Sequence, residues 1–248
     1  MRSVVVIPAR YQSSRFPGKP LIPLLGKPMV IWVAELSAKS VGKENVYIAT
    51  DNEIIRDLVE EYGFQVVMTS DQALTGTDRL AEATELIRAD IYINVQGDEP
   101  VLDPDDISRI NEVKQENTGF IVNGYCWIGG AEDPHNVNIP KVITNEQDKL
   151  VYMSRCALPG FKDIKNIPAR YKKQVCIYAF TSKELQAFKA FGRKSELEKS
   201  EDIEILRFLE MDIPVLMVET RGGSLAVDVP EDVPPVEEVL RRLHNRWK

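Results

Sequence analysis

The chain has 248 residues, 44% of them apolar, and a net charge of −7, so it is long enough to bury a full core without disulfide or metal staples. Its acidic balance argues against a surface that coats nucleic acid. No apolar run reaches the ~18 residues of a membrane-spanning helix, and Met1-Arg2 leads straight into an apolar stretch, so a cytoplasmic protein with no membrane insertion is expected. Cys126, Cys156 and Cys176 are widely spaced, odd in number and set among apolar neighbours, which predicts buried reduced thiols. His135 and His244 stand in no metal or triad motif.

The first predicted element is a strand over 4–7, four apolar residues that suit a parallel strand buried on both faces. Pro8 breaks it into a loop that carries Arg10, Arg15, Gly18 and Lys19. Three cations and several free backbone N–H groups beyond the carboxyl end of an opening strand suit a small polyanion; a solvated basic loop is the competing reading. Lys19 is followed by Pro20, so the loop is not a Walker-type phosphate loop. A helix over 28–40, a strand over 46–50, a helix over 52–62 and a strand over 65–68 follow. Asp51-Asn52 offers an N-cap for the second helix, and Tyr62-Gly63 ends it at a Gly.

Thr75-Gly76-Thr77-Asp78-Arg79 opens a helix expected over 77–88, with Thr77 as its cap. The N-terminus of that helix can offer N–H groups to a base or a phosphate, although plain capping explains the same residues. A strand over 91–95 then delivers Gln96-Gly97-Asp98-Glu99-Pro100. Asp98 and Glu99 past a strand end suit a divalent cation that takes oxygen ligands, and Gly97 permits close backbone approach. The alternative is a turn with a solvated acidic pair. A helix over 103–115 completes this half. Short connections between alternating strands and helices predict right-handed crossovers and an α/β fold with a mostly parallel sheet flanked by helices.

The second half changes style. Strands are expected over 120–128, 148–153 and 174–180, a loop over 159–171, and helices over 182–191, 195–211 and 231–247. No repeat or linker interrupts the chain, so 1–248 is read as one domain, with approximately 120–195 as an insertion or mixed-sheet lobe closing over the parallel sheet. Ala226-Val227-Asp228 places a carboxylate just before Pro230, which suits the first turn of the last helix. Asp228 reads equally as a plain residue of that helix start; a metal bridging phosphates, which draws on more than one carboxylate, favours the functional reading. Ser154-Arg155, Gln174, Tyr178, Glu204 and Arg207 mix cation, amide, phenol and carboxylate, as a polyhydroxylated acid would require. Glu204 and Arg207 also fit a simple surface pair three residues apart.

The segments PARYQSSRFPGKPL, GTDRLAEA, NVQGDEP, SRCALP and VDVPEDV occur in this order, and the chain resembles the CMP-Kdo synthetases (3-deoxy-manno-octulosonate cytidylyltransferases) over nearly its whole length. The resemblance implies a Rossmann-like sheet with a mixed-sheet dimerisation lobe, hence a homodimer. It implies a Mg²⁺-dependent cytoplasmic enzyme that joins CTP to an acidic keto-sugar, giving a CMP-sugar and pyrophosphate for lipopolysaccharide synthesis. Matched residue by residue, it puts Arg10, Arg15 and Lys19 on the triphosphate and Pro8, Ala9, Thr75, Gly76, Thr77 and Arg79 around the nucleotide. It puts Asp98 and Asp228 on the metal, and Gln96, Arg155, Gln174, Tyr178 and Glu204 towards the sugar. Catalysis then falls to Arg15, Lys19, Asp98 and Asp228.

The chain departs from the family pattern at three places. Gln174-Val175-Cys176 replaces a His-Leu-Gly, Ile205 replaces a Gln, and Leu74 replaces another Gln. Ile205 is expected to put a methyl surface against a sugar hydroxyl. Kdo or a close analogue is the expected acceptor, with an amino-substituted acid as one alternative and a non-catalytic nucleotide-binding relative as another.

Overall fold

The apolar runs build two faces of one sheet. In the computed structural model, which describes residues 1–12, 16–130 and 132–246, the first strand is β1 (Ser3–Pro8). The hairpin β2 (Pro23–Leu24) and β3 (Lys27–Pro28) follows, then α1 (Met29–Val41), β4 (Val46–Thr50), α2 (Glu53–Glu61) and β5 (Gln65–Met68). Next come α3 (Gly76–Ala83), β6 (Ile91–Val95), α4 (Pro104–Glu116) and β7 (Ile121–Trp127). The hairpin β8 (Lys141–Thr144) and β9 (Leu150–Ser154) leads to β10 (Lys172–Phe180), α5 (Ser182–Phe191), α6 (Glu196–Glu201), α7 (Leu206–Glu210), β11 (Val215–Glu219) and α8 (Val233–Arg246).

Strand order along the main sheet is β11-β7-β10-β6-β1-β4-β5, with β8 and β9 off this path. β1 pairs in parallel with β4 and β6, β4 with β5, and β11 with β7. β10 runs antiparallel to both β6 and β7. Alternation along β1 sends Val5 and Ile7 to a core with Ile31, Ile55 and Ile107 of α1, α2 and α4. Val4 and Val6 face Leu80, Leu185 and Phe208 of α3, α5 and α7. A third cluster ties α8, through Val236 and Leu240, to Leu24, Trp32 and Val227.

The strands expected over 46–50, 65–68 and 91–95 and the helix over 182–191 appear with those bounds. Three expectations need correction. The helix over 195–211 is two helices, because Asp202 adopts a left-handed conformation with φ of 50° and stops α6. The helix over 77–88 begins at Gly76 and ends at Ala83, and its cap is Thr75, whose hydroxyl accepts the Asp78 N–H. Strands β8 and β11 were not expected; β11 is a short apolar run that pattern alone does not distinguish from buried helix, and β8 has only two apolar residues, Val142 and Ile143. Residues 120–195 hold β7 and β10, which are central strands, as well as the off-path pair β8 and β9.

Arg207 is fully buried and does not pair with Glu204. Its guanidinium reaches Glu198 of α6 at 2.7 Å and Asp78 of α3 at 2.9 Å, and lies 3.6 Å from the centre of the Phe188 ring. Glu198 is 1% exposed, so removing the cation leaves a carboxylate stranded in the interior. Arg207→Met is expected to lower unfolding free energy by about 3–5 kcal/mol, read as a lower urea midpoint at unchanged m-value. A midpoint within error of the parent would show that the two acids find other partners.

Candidate active site

The site follows from the strand order. The chain leaves β1 towards β4 and leaves β6 towards β7, so the crossover direction reverses between these neighbours, and the crevice beyond their carboxyl ends is open. Gly97 makes the two strand ends meet: a Cβ there would sit 3.0 Å from the Pro8 carbonyl oxygen and 3.3 Å from an Ile7 methyl. The Val227 N–H donates to the Asp98 carbonyl at 2.9 Å, which brings the segment before α8 to the same rim. The Asp228 and Val229 N–H groups donate to Asp232 at 2.8 and 3.0 Å, so the backbone around Asp228 is fixed locally.

Lys19 unites these segments. Its ammonium donates to Asp98 Oδ2 at 2.6 Å and lies 3.3 Å from Asp228 Oδ1. The three residues come from the loop after β1, the turn after β6 and the approach to α8. They line a cavity of about 300 Å³ together with Pro8, Ala9, Arg10, Thr75, Gly76 and Arg79. Arg10 is exposed at its edge. Arg15 lies outside the described residues.

The N-terminus of α3 opens on this cavity, but its first N–H groups already have a partner. Gly76 and Thr77 donate to the Glu204 carboxylate at 3.2 and 2.9 Å. Glu204, expected to face a sugar, therefore also caps α3, where a carboxylate is favoured by the helix dipole. Arg79 is 4% exposed; its guanidinium meets Asp51 at 2.9 Å and also donates to the Thr69 hydroxyl. Lys194 and Asp202, 3.2 Å apart, complete the wall. Neither stood out in the sequence, because nothing local links them to the loop after β1. Leu74 lies on the wall and is 51% exposed.

A second cavity of about 940 Å³ adjoins the first and shares Arg10, Gln96, Asp98, Asp202, Glu204 and Asp228 with it. Gln174 and Tyr178 of β10 line it. Gln174 Nε2 donates to Asn123 Oδ1 and to the Tyr178 hydroxyl, both at 3.1 Å. Asn123 in turn donates to the carbonyls of Val175 and Ile177 at 2.9 Å, across the irregularity where β10 shifts register against β7. Arg155 is also on the wall, yet its Nη1 and Nη2 donate to the Val137 and Asp202 carbonyls at 2.9 Å and its Nε to the Glu201 carbonyl. It clamps the β8–β9 hairpin onto the turn between α6 and α7.

Ile205 does not line this cavity. It is 1% exposed and packs in the core with Phe180 and Phe208, so the expected methyl surface against a sugar is corrected. The left-handed turn at Asp202 starts a new helix, and that helix rotates Ile205 inward. Gln174 is the departure that faces the cavity. The thiol expectation is corrected in part: Cys126 is buried and Cys176 half-buried, but Cys156 is exposed. Burial holds the Cys176 thiol and the Tyr178 phenol well above their ordinary values, and Glu99 beside Cys176 adds to the first. Burial, and then the neighbouring Asp98 carboxylate, push Glu99 up to about 7.

The chain matches known proteins over nearly its whole length. The cytidylyltransferase family model matches residues 4–215. The chain belongs to the cytidylyltransferase family. Within it, the 8-amino-3,8-dideoxy-manno-octulosonate cytidylyltransferase of Shewanella sp. (strain W3-18-1) is 40% identical over 97% of this chain and 99% of its own length. The Shewanella oneidensis protein of the same name is 38% identical with the same coverage. A solved CMP:2-keto-3-deoxy-manno-octonic acid synthetase complexed with CTP superposes with a TM-score of 0.90 at 33% identity, covering 98% of this chain and 99% of that one. The chain is thus a nucleotidyltransferase of the Kdo type, with the α/β fold expected for that family.

Glu99 makes the stability of this family member depend on pH in metal-free buffer. Its ordinary carboxyl value is 4.5 and its folded value about 7. Between those values the folded chain binds the proton that the unfolded chain has released, so stability falls as pH rises through that window. Glu99→Gln removes this loss. The variant is expected to be the more stable protein at pH 8, by on the order of 1–3 kcal/mol, with the gap closing towards pH 5. Urea titrations of both proteins across that range check it, and parallel pH profiles would refute it.

Proposed function

We propose that this cytidylyltransferase joins CTP to an acidic keto-sugar of the 8-amino-3,8-dideoxy-manno-octulosonate type, giving the CMP-sugar and pyrophosphate. The observation that carries the reading is the meeting of Lys19, Asp98 and Asp228 at the junction of two cavities. The smaller cavity takes the nucleotide and the larger the acceptor. The names of the relatives at 38–40% identity support the amino-sugar. Unmodified Kdo is the second reading, supported by the CTP-bound synthetase at 33% identity.

In this reading the anomeric hydroxyl oxygen of the acceptor bonds to the α-phosphorus as the bond to the bridging oxygen of the β-phosphate breaks. Pyrophosphate leaves with that electron pair, and the hydroxyl proton is released to solvent. Positioning and charge neutralisation do most of the work in such transfers. Lys19, Arg10 and Arg15, from one loop, neutralise the triphosphate and the leaving pyrophosphate. Pro8, Ala9, Thr75 and Gly76 form the nucleotide wall, and Arg79, fixed by Asp51, backs it. Gln96, Arg155, Gln174, Tyr178 and Glu204 surround the acceptor.

Asp98 and Asp228 fit Mg²⁺: two oxygen donors from different segments already converge on one cation, and Mg²⁺ commonly takes one or two carboxylates with phosphate oxygens. When bound it would offset phosphoryl charge and acidify the attacking hydroxyl. No helix among the described residues is long and apolar enough to cross a membrane, and we assign the reaction to the cytoplasm, where CTP is available.

Two measurements test this reading. Pyrophosphate release from CTP, Mg²⁺ and the acceptor is expected for the parent, and Asp98→Asn or Asp228→Asn should cut kcat at least ~10²-fold, the scale of one lost charge-stabilising group. Near-normal turnover of Asp228→Asn at saturating Mg²⁺ would remove Asp228 from the site. We also assign the segment of approximately 120–195 a dimerising role, because Val151, Phe161, Ile164 and Ile167 are large apolar residues more than 40% exposed within it. Ile164→Glu with Ile167→Glu should convert a dimer to a monomer in sedimentation velocity; a parent that sediments as a monomer would refute the assignment.

A further inference from the structure

One wall of the larger cavity belongs to no helix or strand. Residues 220–228 run from the end of β11 to the carboxylate that meets Lys19, and Gly222, Gly223, Ser224 and Ala226 of this segment line the cavity. Behind its start lies a further cavity of about 760 Å³, lined by Thr220 and Arg221 among others, and Cys126 borders both spaces. A segment that passes between two cavities lacks packed neighbours on either face, so contact alone does not fix its place.

What holds it is a fork. Asp106, in the first turn of α4, is 3% exposed. One of its carboxylate oxygens accepts the Arg221 N–H at 2.9 Å and the other the Gly222 N–H at 3.2 Å. Such bonds to an ionised acceptor are the stronger kind. The helix beneath is rigidly seated, with Ile107 and Ile110 in the core shared with the sheet. The Arg221 guanidinium goes elsewhere, to Asp103 at 3.1 Å and Asp105 at 2.7 Å. Gly222 also rests against Cys126: its φ is 67°, and a Cβ there would sit 2.5 Å from the Cys126 Sγ.

The far end of the segment is tied by other groups. The Val227 N–H donates to the Asp98 carbonyl, and Asp232 accepts the N–H groups of Asp228 and Val229. The two anchorages divide the work. Asp106 sets the glycines on the wall of the larger cavity, while Asp98 and Asp232 set Asp228 beside Lys19.

We propose that Asp106 is a positioning residue for the acceptor, its carboxylate holding the Arg221-Gly222 backbone so that the glycine segment forms a wall of the acceptor site. The inference rests on reading the larger cavity as the acceptor site, and it holds whether or not the acid carries an amine.

The test follows pyrophosphate release with CTP and Mg²⁺ in the parent, Asp106→Asn and Gly222→Ala, varying one substrate at a time, with the 8-amino and the 8-hydroxy acids as acceptors. Asp106→Asn keeps the shape but turns one acceptor atom into a donor that faces an N–H. It should raise KM for the acceptor about 10-fold, the scale of one hydrogen bond to a charged group. KM for CTP and kcat should stay close to the parent's, because Asp228 has its own anchorage. Gly222→Ala pushes the same segment from the Cys126 side and should give the same split, which keeps the test open if Asp106→Asn fails to fold. In the double variant the two effects should fall short of multiplying, since both displace one element. An unchanged acceptor KM in folded Asp106→Asn overturns the proposal. So does an equal rise in KM for CTP, or a lower kcat with neither KM moved, since these mark a general loss of structure. A parent that uses neither acid overturns the acceptor reading and this inference with it. A parent that uses either one while both variants keep its KM overturns this inference alone.

Discussion

Two carboxylates held within reach of one ammonium are stable only if that ammonium stays between them. Asp98 and Asp228 come from segments 130 positions apart, and Lys19 from a third. Without the cation the two acids would repel at the mouth of a half-buried cleft. The fold supplies the means to hold all three: Gly97 lets the turn after β6 lie on the end of β1, and the Val227 N–H ties the third segment to the Asp98 carbonyl. The same arrangement fits the role proposed for Asp98 and Asp228, since oxygen donors gathered around one cation are the ligand type that Mg²⁺ takes together with phosphate oxygens.

A second set of interactions joins the two cavities. Glu204 closes the N-terminus of α3 on the side of the smaller cavity and stands on the wall of the larger one. It is carried by the turn between α6 and α7, and that turn is clamped by Arg155 through the Glu201 and Asp202 carbonyls. The Glu201 carboxylate answers by accepting the Ser154 hydroxyl at 2.7 Å and the Arg155 N–H at 2.8 Å. The off-path hairpin β8–β9 therefore sets the position of a carboxylate that lines both cavities. Arg155 bears on the larger cavity through the backbone carbonyls it holds, and Glu204 through its carboxylate.

Local pattern revealed the parts whose periodicity is strong. β1, β4 and β6 were legible because buried parallel strands are largely apolar runs, and Asn52 capped α2 as its type suggests, accepting the Ile54 N–H at 2.9 Å. The pattern misled where one backbone conformation overrode it. An αL residue at Asp202 cut a helical stretch in two, and Ile205 turned from an expected pocket residue into core. Arg207 looked like half of a surface pair and proved to be the buried link between α3 and α6.

What the sequence by itself determined is the class of chemistry: a cationic loop after one strand and an acidic turn after another suit a polyanion and a divalent cation, and the ordered segments that resemble the CMP-Kdo synthetases add nucleotidyl transfer. Only the tertiary structure decided which groups remain available for a ligand. Compensation depends on who stands within about 3 Å of a charge, and those neighbours lie far away in sequence. Arg79 met Asp51, Arg155 met three carbonyls and Glu204 met a helix N-terminus. Glu99, which read as half of a metal-binding pair, lines only the larger cavity, against Cys176 of β10, whereas Asp98 lines both.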